Sequence, residues 1–251
     1  MESTSFYMVL PSSTKNSDDL HPTNTASSFQ IRLPKTIHLR NKYEVALAEI
    51  VYPHTWLTFN DSEDYVFKCV DAQDNVHTLS IPQGYYKNMS DLISKLNDAI
   101  VDNKACLSNA SFYYQSVTGR VKLYVRNDSI LMFGEGLANV LGFNPNTPYT
   151  ESTLASYNAD INLGFNSLYV YCSICEPQIV GDAYVPLLRT VYITGNQGDT
   201  VNNIYDSPHY VPVNIDTLDT IEINIKNDMN EQVSFKTGKV ICKLHFRQKA
   251  L

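Results

Sequence analysis

The sequence predicts a mainly β protein, a single jelly-roll β-sandwich with a small α+β subdomain inserted into it. Three observations support this fold class. Apolar and polar residues alternate along two strands near the end of the sequence, about eight strands are spread over its two ends, and one stretch in the middle has helical periodicity. With 251 residues, the chain is long enough to bury a sizeable core.

The first part of the chain predicts strands on both sides of a polar segment. Phe6–Leu10 is a short β-prone run, and the segment 11–28 is rich in Ser, Thr, Asn, Asp and Pro. We expect this segment to form an extended arm or a long loop. Two further strands follow at Phe29–Leu33 and Tyr43–Val51, and the second contains an apolar stretch typical of burial on both faces.

Residues 65–143 predict a compact α+β subdomain. Strands Tyr65–Val70 and Val76–Ile81 form a hairpin, and Asn88 then caps a helix whose apolar stripe comprises Met89, Leu92, Ile93, Leu96 and Ile100. Three strands follow, at Phe112–Gln115, Val121–Val125 and Ile130–Phe133, before a short helix Glu135–Leu141 that Gly142 ends. We expect this subdomain to stand outward from a jelly-roll domain formed by residues 1–64 and 144–251.

The last part of the chain returns to strands. Leu168–Ile174, Leu188–Thr194 and Tyr210–Val213 are β-prone runs. In Ile221–Lys226 three isoleucines alternate with polar residues, and in Val240–Phe246 the apolar residues alternate again while Lys243 and His245 face outward. This pattern predicts antiparallel strands with one buried face. It favours a shell or binding role over a catalytic one.

Charge and hydropathy exclude several classes of protein. The net charge is −7 and the pI is near 5.3, and no run of Lys and Arg is longer than a pair, so we expect no direct contact with nucleic acid. No window approaches the roughly 18 apolar residues of a membrane span, and the first residues lack a secretory pattern. The sequence therefore predicts a soluble protein that is not secreted through a signal peptide.

The cysteines and histidines predict no metal or cofactor site. Five cysteines, Cys69, Cys106, Cys172, Cys175 and Cys242, are scattered as expected for reduced thiols of a core. Cys172 and Cys175 form a lone CxxC pair, which we expect on opposite faces of a strand because side chains alternate along it. The six histidines, His21, His38, His54, His77, His209 and His245, show no metal-ligand spacing.

Other short motifs are better explained by turns than by chemistry. Gly134–Gly136 precedes a helix but lacks the third glycine of a dinucleotide site, so we interpret it as a cap and turn. The acidic clusters Asp61–Asp64 and Asp228–Glu231 fall short of a calcium loop. The sequons at Asn60, Asn88, Asn109 and Asn127 are interpreted as coincidental in an Asn-rich chain. We predict no catalytic, cofactor-binding or metal-binding residues.

Taken in order along the chain, several segments resemble the penton (minor capsid) proteins of Polinton/Maverick elements, adintoviruses and their virophage relatives. The segments are Ser28–Pro34 leading to Tyr43–Leu47, Gly84–Tyr86 before Leu92–Asn97, Leu141–Phe143, Ser207–Pro212 and Phe235–Arg247. The resemblance implies a jelly-roll virion protein whose homopentamer surrounds the icosahedral fivefold vertex, beside a double-jelly-roll major capsid protein. It also implies assembly inside the host cell, a structural rather than enzymatic role, and a host receptor as a further partner.

Two other functions remain open on the residues alone. A receptor- or carbohydrate-binding β-sandwich, such as a fibre head, is compatible with the 17 tyrosines, whose rings stack on sugars. A cupin-like enzyme would need clustered metal ligands, which the spacing of the histidines does not provide.

Overall fold

The computed structural model describes residues 5–14, 20–39, 42–56, 58, 65–103, 110–126, 129–163, 165–228 and 230–249. The chain folds into two compact units, the first formed by Met1–Trp56 with Phe165–Leu251 and the second by Leu57–Gly164. Each unit has its own hydrophobic core.

The described residues form strands and two helices. In chain order the strands are β1 Ser5–Pro11, β2 Ser28–His38, β3 Tyr43–Pro53, β4 Val66–Val70, β5 Val76–Ser80, β6 Ala110–Gln115, β7 Arg120–Val125, β8 Ile130–Phe133, β9 Thr153–Leu154, β10 Ser167–Cys172, β11 Gln178–Val180, β12 Ala183–Val185, β13 Leu187–Tyr192, β14 Thr200–Ile204, β15 Val211–Pro212, β16 Thr217–Lys226 and β17 Ile241–Gln248. The helices are α1 Met89–Asp102, after β5, and α2 Glu135–Leu141, after β8.

The first unit is a sandwich of two antiparallel sheets. The first sheet has the order β1-β17-β3-β14, with β15 also paired to β3, and the second has the order β13-β10-β16-β2. The chain passes repeatedly from one sheet to the other, which is the strand arrangement of a jelly roll. The second unit enters this topology between β3 and β10. The predicted fold class, a jelly roll with an inserted α+β subdomain, is therefore confirmed.

Alternation along the strands builds the core of the sandwich. Cys242, Leu244 and Phe246 of β17 are fully buried, while the residues between them are partly exposed. Ile223 and Ile225 of β16 are fully buried in the same way. Burying each large aliphatic or aromatic side chain contributes about 1.5–3 kcal/mol, so the two inner faces drive the sheets together.

Two strands that pair with β3 in the first sheet differ from the sequence prediction. Thr200–Ile204 forms β14, which the sequence did not predict, and the predicted strand Tyr210–Val213 shrinks to the two residues of β15. Both pair with β3, so together they form one interrupted edge of the first sheet. The strands β16 and β17 lie in different sheets, because the chain between them crosses the sandwich.

The second unit has the predicted element order, strand-strand-helix-strand-strand-strand-helix, and adds the two-residue strand β9, which the sequence did not predict. The described strands form two small antiparallel sheets, β5-β4-β8 and β6-β7-β9. Helix α1 buries its predicted apolar stripe, and the side chain of Asn88 accepts a hydrogen bond of 3.0 Å from the backbone N–H of Asp91. This capping bond satisfies a donor that the first turn would otherwise leave open.

The inserted subdomain extends past residue 143, where the sequence predicts its end, into the polar connector formed by residues 144–166. Tyr149 exchanges two backbone hydrogen bonds with Leu131 of β8, at 2.8 and 3.0 Å. Strand β9 pairs with β7, and Ala155 is buried in the second core. The connector is polar overall, but these few residues hold it to the second unit, which spans Leu57–Gly164 instead of 65–143.

Both described ends of the segment 11–28 are tied to neighbouring strands. The backbone N–H of Ser12 donates to the carbonyl of Val240 at 2.8 Å, and the Ser12 hydroxyl accepts from the Val240 N–H at 3.1 Å. The side chain of Asn24 bonds the backbone of Gln30 in both directions, at 2.9 and 3.0 Å. Residues 15–19 lie outside the described residues, so an arm that reaches a neighbour stays a prediction.

Candidate interaction surfaces

The outer face of the first sheet carries exposed apolar and aromatic side chains. We call this surface the strand face; it comprises the outward residues of β1, β17, β3 and β14. The strand register aligns Val9 with Lys243, Lys243 with Glu49, and Glu49 with Ile204. Val9 is 59% exposed and Ile204 is 65% exposed. An outward sheet face in water is normally polar, so this composition is typical of a contact surface.

An aromatic cluster occupies one side of the strand face. Tyr7, which is 59% exposed, stacks on the imidazole of His245 with ring centroids 4.4 Å apart. The same imidazole also contacts Tyr210: its Nδ1 lies 2.7 Å from the hydroxyl oxygen of Tyr210, which is hydrogen-bond distance. The guanidinium of Arg247 lies over the Tyr210 ring, 3.4 Å from its centroid. These contacts fix the rings in place, so the cluster is organised before any partner arrives.

Burial, followed by the positive charge of Arg247, lowers the pKa of His245 below its ordinary value of 6.5. The imidazole is therefore neutral at neutral pH. A neutral ring can stack on Tyr7 and share a hydrogen bond with Tyr210 without carrying a charge into the cluster.

The charged residues of the strand face are paired with each other. Lys243 Nζ lies 3.4 Å from Glu49 Oε2, and Arg247 Nη2 lies 3.1 Å from Glu44 Oε2. In both pairs the cation is the more exposed partner: the side chains of Lys243 and Arg247 are 40% and 48% exposed, against 25% for Glu49 and 15% for Glu44. These four charges sum to zero, and the cations are the more accessible members of the two pairs.

The outer face of the second sheet is different, because polar side chains cover its centre. Gln30 donates to one oxygen of Glu222 at 3.2 Å, and Asn224 donates to the other oxygen at 2.7 Å. At the end of β16, Lys226 donates to Asn230 at 2.8 Å. Such a face is satisfied in water, so the strand face is the better candidate for a contact.

A second exposed apolar group lies on the hairpin of β11 and β12. Ile179 and Tyr184 are directly opposite each other in the register, and they are 82% and 68% exposed. The two strands pair only with each other among the described residues. Sequence reasoning missed this hairpin because each strand has only three residues and shows no alternation of burial.

The second unit has an exposed face on the sheet β6-β7-β9. Tyr113, which is 57% exposed, pairs with Lys122, and Lys122 pairs with Leu154 of β9. The ammonium of Lys122 lies 4.8 Å from the centre of the Tyr124 ring. An aromatic ring beside a cation and an apolar residue is a common composition for binding surfaces.

The CxxC pair does not have the predicted geometry. The chain turns after β10, and the backbone N–H of Cys175 donates to the carbonyl of Cys172 at 3.0 Å. The turn brings both side chains into the core, where the two thiols hydrogen-bond to each other. This bond and burial raise the pKa of Cys175, and burial raises the pKa of Cys242 in the same core. Cys172, Cys175 and Cys242 are buried free thiols, and Cys69 is buried in the second unit; Cys106 lies outside the described residues.

The described histidines are dispersed; besides His245, His77 and His54 have clear contacts, each with a different partner. His77 Nε2 lies 2.9 Å from Asp71 Oδ2, and this contact holds the pKa of Asp71 well below its usual range. His54 stacks on Trp56 with centroids 4.1 Å apart, and burial lowers the pKa of His54. Within the part of the chain that the structure describes, no group of three or more His, Cys, Asp or Glu side chains could hold a metal ion.

The remaining motifs belong to turns or lie outside the description. Gly134 is the N-cap of α2, as the sequence predicts, and Gly142 ends that helix in the left-handed conformation with φ 80°. The sequons at Asn60, Asn109 and Asn127 and the cluster Asp61–Asp64 lie outside the described residues. Neither described helix has the length and apolar character needed to cross a membrane.

The fold defines the class of protein with which this chain can be compared: a jelly roll, an architecture found in viral capsid and lectin domains. Among solved structures, the chain is similar to the penton protein of mavirus, with a TM-score of 0.52, 9% sequence identity, and coverage of 98% of this chain and 99% of that chain. It is also similar to a chain in the structure of the Sputnik virophage, with a TM-score of 0.52, 11% identity and coverage of 99% of both chains.

By sequence alone, no protein-family profile matches the chain. No curated protein matches it either. At such low identity the structural matches establish the fold, which extends over nearly the whole chain.

Proposed function

We propose that the protein is a structural subunit of a viral capsid, the penton (minor capsid) protein of a virus or element related to Polinton/Maverick elements, adintoviruses and virophages. The observation that carries this proposal is the full-length match to the mavirus penton protein, which includes the insertion between β3 and β10 as well as the jelly roll. The segments that resemble this family in sequence, such as Ser207–Pro212, support the same assignment.

In this proposal five copies form a ring at each icosahedral fivefold vertex, beside a double-jelly-roll major capsid protein. A ring of identical subunits uses heterologous contacts, in which two different surfaces of the chain meet. The exposed apolar side chains of the strand face are suited to such contacts. The role is structural, so the protein acts by assembly and not by catalysis.

The second unit is proposed to stand outward from the shell, where the face formed by β6, β7 and β9 would meet a host receptor. The exposed ring of Tyr113 and the neighbouring Lys122 favour this role, since a sugar or protein surface can stack on the ring and bond the ammonium. This is also the observation that favours the second candidate, a receptor- or carbohydrate-binding sandwich that is not part of a shell.

Co-assembly separates these functions. The protein is mixed with its cognate major capsid protein, and the products are imaged by electron microscopy. A penton subunit closes icosahedral particles and contributes density at the fivefold vertices. Particles that close with empty vertices, or a protein that never joins them, would contradict the proposed function and leave the receptor-binding sandwich as the better account.

A further inference from the structure

Two groups of exposed apolar side chains in the first unit are each held together by strand pairing. One is on the strand face, where Tyr7 and Val9 lie two residues apart on the outward side of β1, while Ile204 lies at the other edge, beyond Lys243 and Glu49. The other is the β11–β12 hairpin, with Ile179 and Tyr184. Isolated exposed apolar residues need no explanation, but apolar residues grouped on neighbouring strands indicate a surface that a partner covers.

The hairpin is held at its base but exposed beyond it. At the base, the backbone N–H of Glu176 donates to the carbonyl of Pro212 at 2.8 Å, and the side chain of Gln178 donates to the carbonyl of Leu187 at 2.7 Å. Beyond the base, the two strands of three residues pair only with each other among the described residues. Ile179 and Tyr184 form a cross-strand pair whose apolar area stays in solvent, so covering this pair would both bury that area and stabilise the hairpin.

The two surfaces carry different charges. Between Ile174 and Leu188 the charged residues are Glu176 and Asp182, which are both exposed and both acidic. On the strand face each cation is paired with a glutamate, and Lys243 and Arg247 are the more exposed members of these pairs. Two hairpins facing each other would bring unpaired acids together. A hairpin against a strand face sets opposite charges beside each other.

We propose that the β11–β12 hairpin of one copy packs on the strand face of the next copy. This inference rests on the proposed function, because a closed ring needs two different complementary surfaces on each subunit. Ile179 and Tyr184 of one subunit cover Tyr7 and Val9 of its neighbour, while the acidic residues of the hairpin lie near the exposed cations. The partner is therefore a second copy of this chain.

The test blocks each surface separately with one charge. Ile179→Asp changes the hairpin and Val9→Asp changes the strand face, and both side chains are exposed in the single subunit. Val117→Asp is the matched control, because Val117 is 98% exposed in a turn of the second unit. Urea unfolding of the isolated chains verifies that each variant is as stable as the wild type, so a loss of assembly does not reflect misfolding.

Sedimentation velocity over a range of concentrations gives the assembly state. We expect Ile179→Asp and Val9→Asp each to raise the concentration for half-assembly at least about tenfold, because a charge would be buried without a partner. Val117→Asp should assemble like the wild type. A mixture of the two blocked variants has one intact contact, formed by the hairpin of Val9→Asp and the strand face of Ile179→Asp, so it should stop at a heterodimer.

The inference is overturned if either blocked variant assembles like the wild type, or if the mixture forms complete rings. If the wild type is monomeric at every concentration, the same variants are compared by vertex occupancy in particles formed with the major capsid protein. Ile179→Asp and Val9→Asp should then occupy fewer vertices than the wild type, and Val117→Asp should occupy as many. A wild type that neither forms rings nor enters particles contradicts the proposed function itself, which is a distinguishable outcome.

Discussion

The hydroxyl of Tyr210 and Nδ1 of His245 lie 2.7 Å apart and share a hydrogen bond between the segment that leads into β15 and the strand β17. This contact belongs to the outward face of the first sheet, yet it is as well defined as a core contact, because Arg247 lies over the same tyrosine ring. The order of the strand face therefore depends on the contacts that His245 makes with Tyr7 and Tyr210.

We expect acidification to destabilise the first unit through His245. Its pKa is lowered in the folded state, by burial first and by Arg247 second, from an ordinary value of 6.5. At pH values between the folded pKa and the ordinary value of 6.5, the unfolded chain binds more protons than the folded chain. The free energy of unfolding is therefore retained above pH 6.5 and falls as the pH drops through the folded pKa. Urea unfolding at several pH values should show this slope in the wild type.

The variant His245→Asn removes the titrating group and should show a shallower fall in stability with acid. Burial also lowers the pKa of His54, which contributes a fall of the same sign and is tested with His54→Asn. If the slope of His245→Asn equals that of the wild type, His245 is not the group responsible.

Gly142→Ala should destabilise the second unit by about 3 kcal/mol, from left-handed strain and a steric overlap together. Gly142 has φ 80°, and an added Cβ would overlap the carbonyl oxygen of Tyr157. Gly119→Ala is the matched control: Gly119 has φ 67°, but its nearest neighbour is the side chain of Asn158 at 3.7 Å. The control should lose only about 1 kcal/mol. If urea unfolding shows the same loss of unfolding free energy in both variants, the overlap at residue 142 is relieved without cost.

Asn88→Ala should cost about 1 kcal/mol, because it removes the side chain that accepts from the N–H of Asp91 at the start of α1. Asn88→Asp keeps the acceptor and should remain close to the wild type. Hydrogen exchange of the first turn of α1 measures the difference locally. Protection that is unchanged in Asn88→Ala would show that packing alone holds this turn.

The thiols in the core of the first unit should resist labelling in the folded protein. Cys172, Cys175 and Cys242 are fully buried, and the raised pKa values of Cys175 and Cys242 keep these two groups protonated. A thiol-reactive dye, used on a Cys106→Ser background, should label the described cysteines only after denaturant is added. Rapid labelling under native conditions would mean that the sandwich opens easily.

Elements with strong periodicity could be predicted from the sequence, because burial follows their spacing. The isoleucines of β16 and the stripe of α1 are buried as expected. The outward position of His245 in β17 could be predicted in the same way. Its stacking on Tyr7 could not, because β1 and β17 lie at opposite ends of the sequence and local spacing carries no information about which strands pair.

Elements with weak patterns were missed for identifiable reasons. In β14 only Val201 is buried, and two asparagines follow it, so neither alternation nor β propensity marks the strand. It forms because β3 offers an open edge for pairing. The thiols of Cys172 and Cys175 were predicted on opposite faces because a continuous strand was assumed, whereas the chain turns at Ser173.

The place of β17 between β1 and β3 also sets an order of events during synthesis. The first sheet cannot close until residue 248 has left the ribosome, whereas every strand of the second unit has emerged long before. At about 5–20 residues per second, the chain spends roughly 10 to 40 seconds with β1 and β3 unpaired along the edges that β17 later joins. During that interval the nascent sandwich is open to pairing with other chains, so its yield in a cell should depend on chaperones and translation speed.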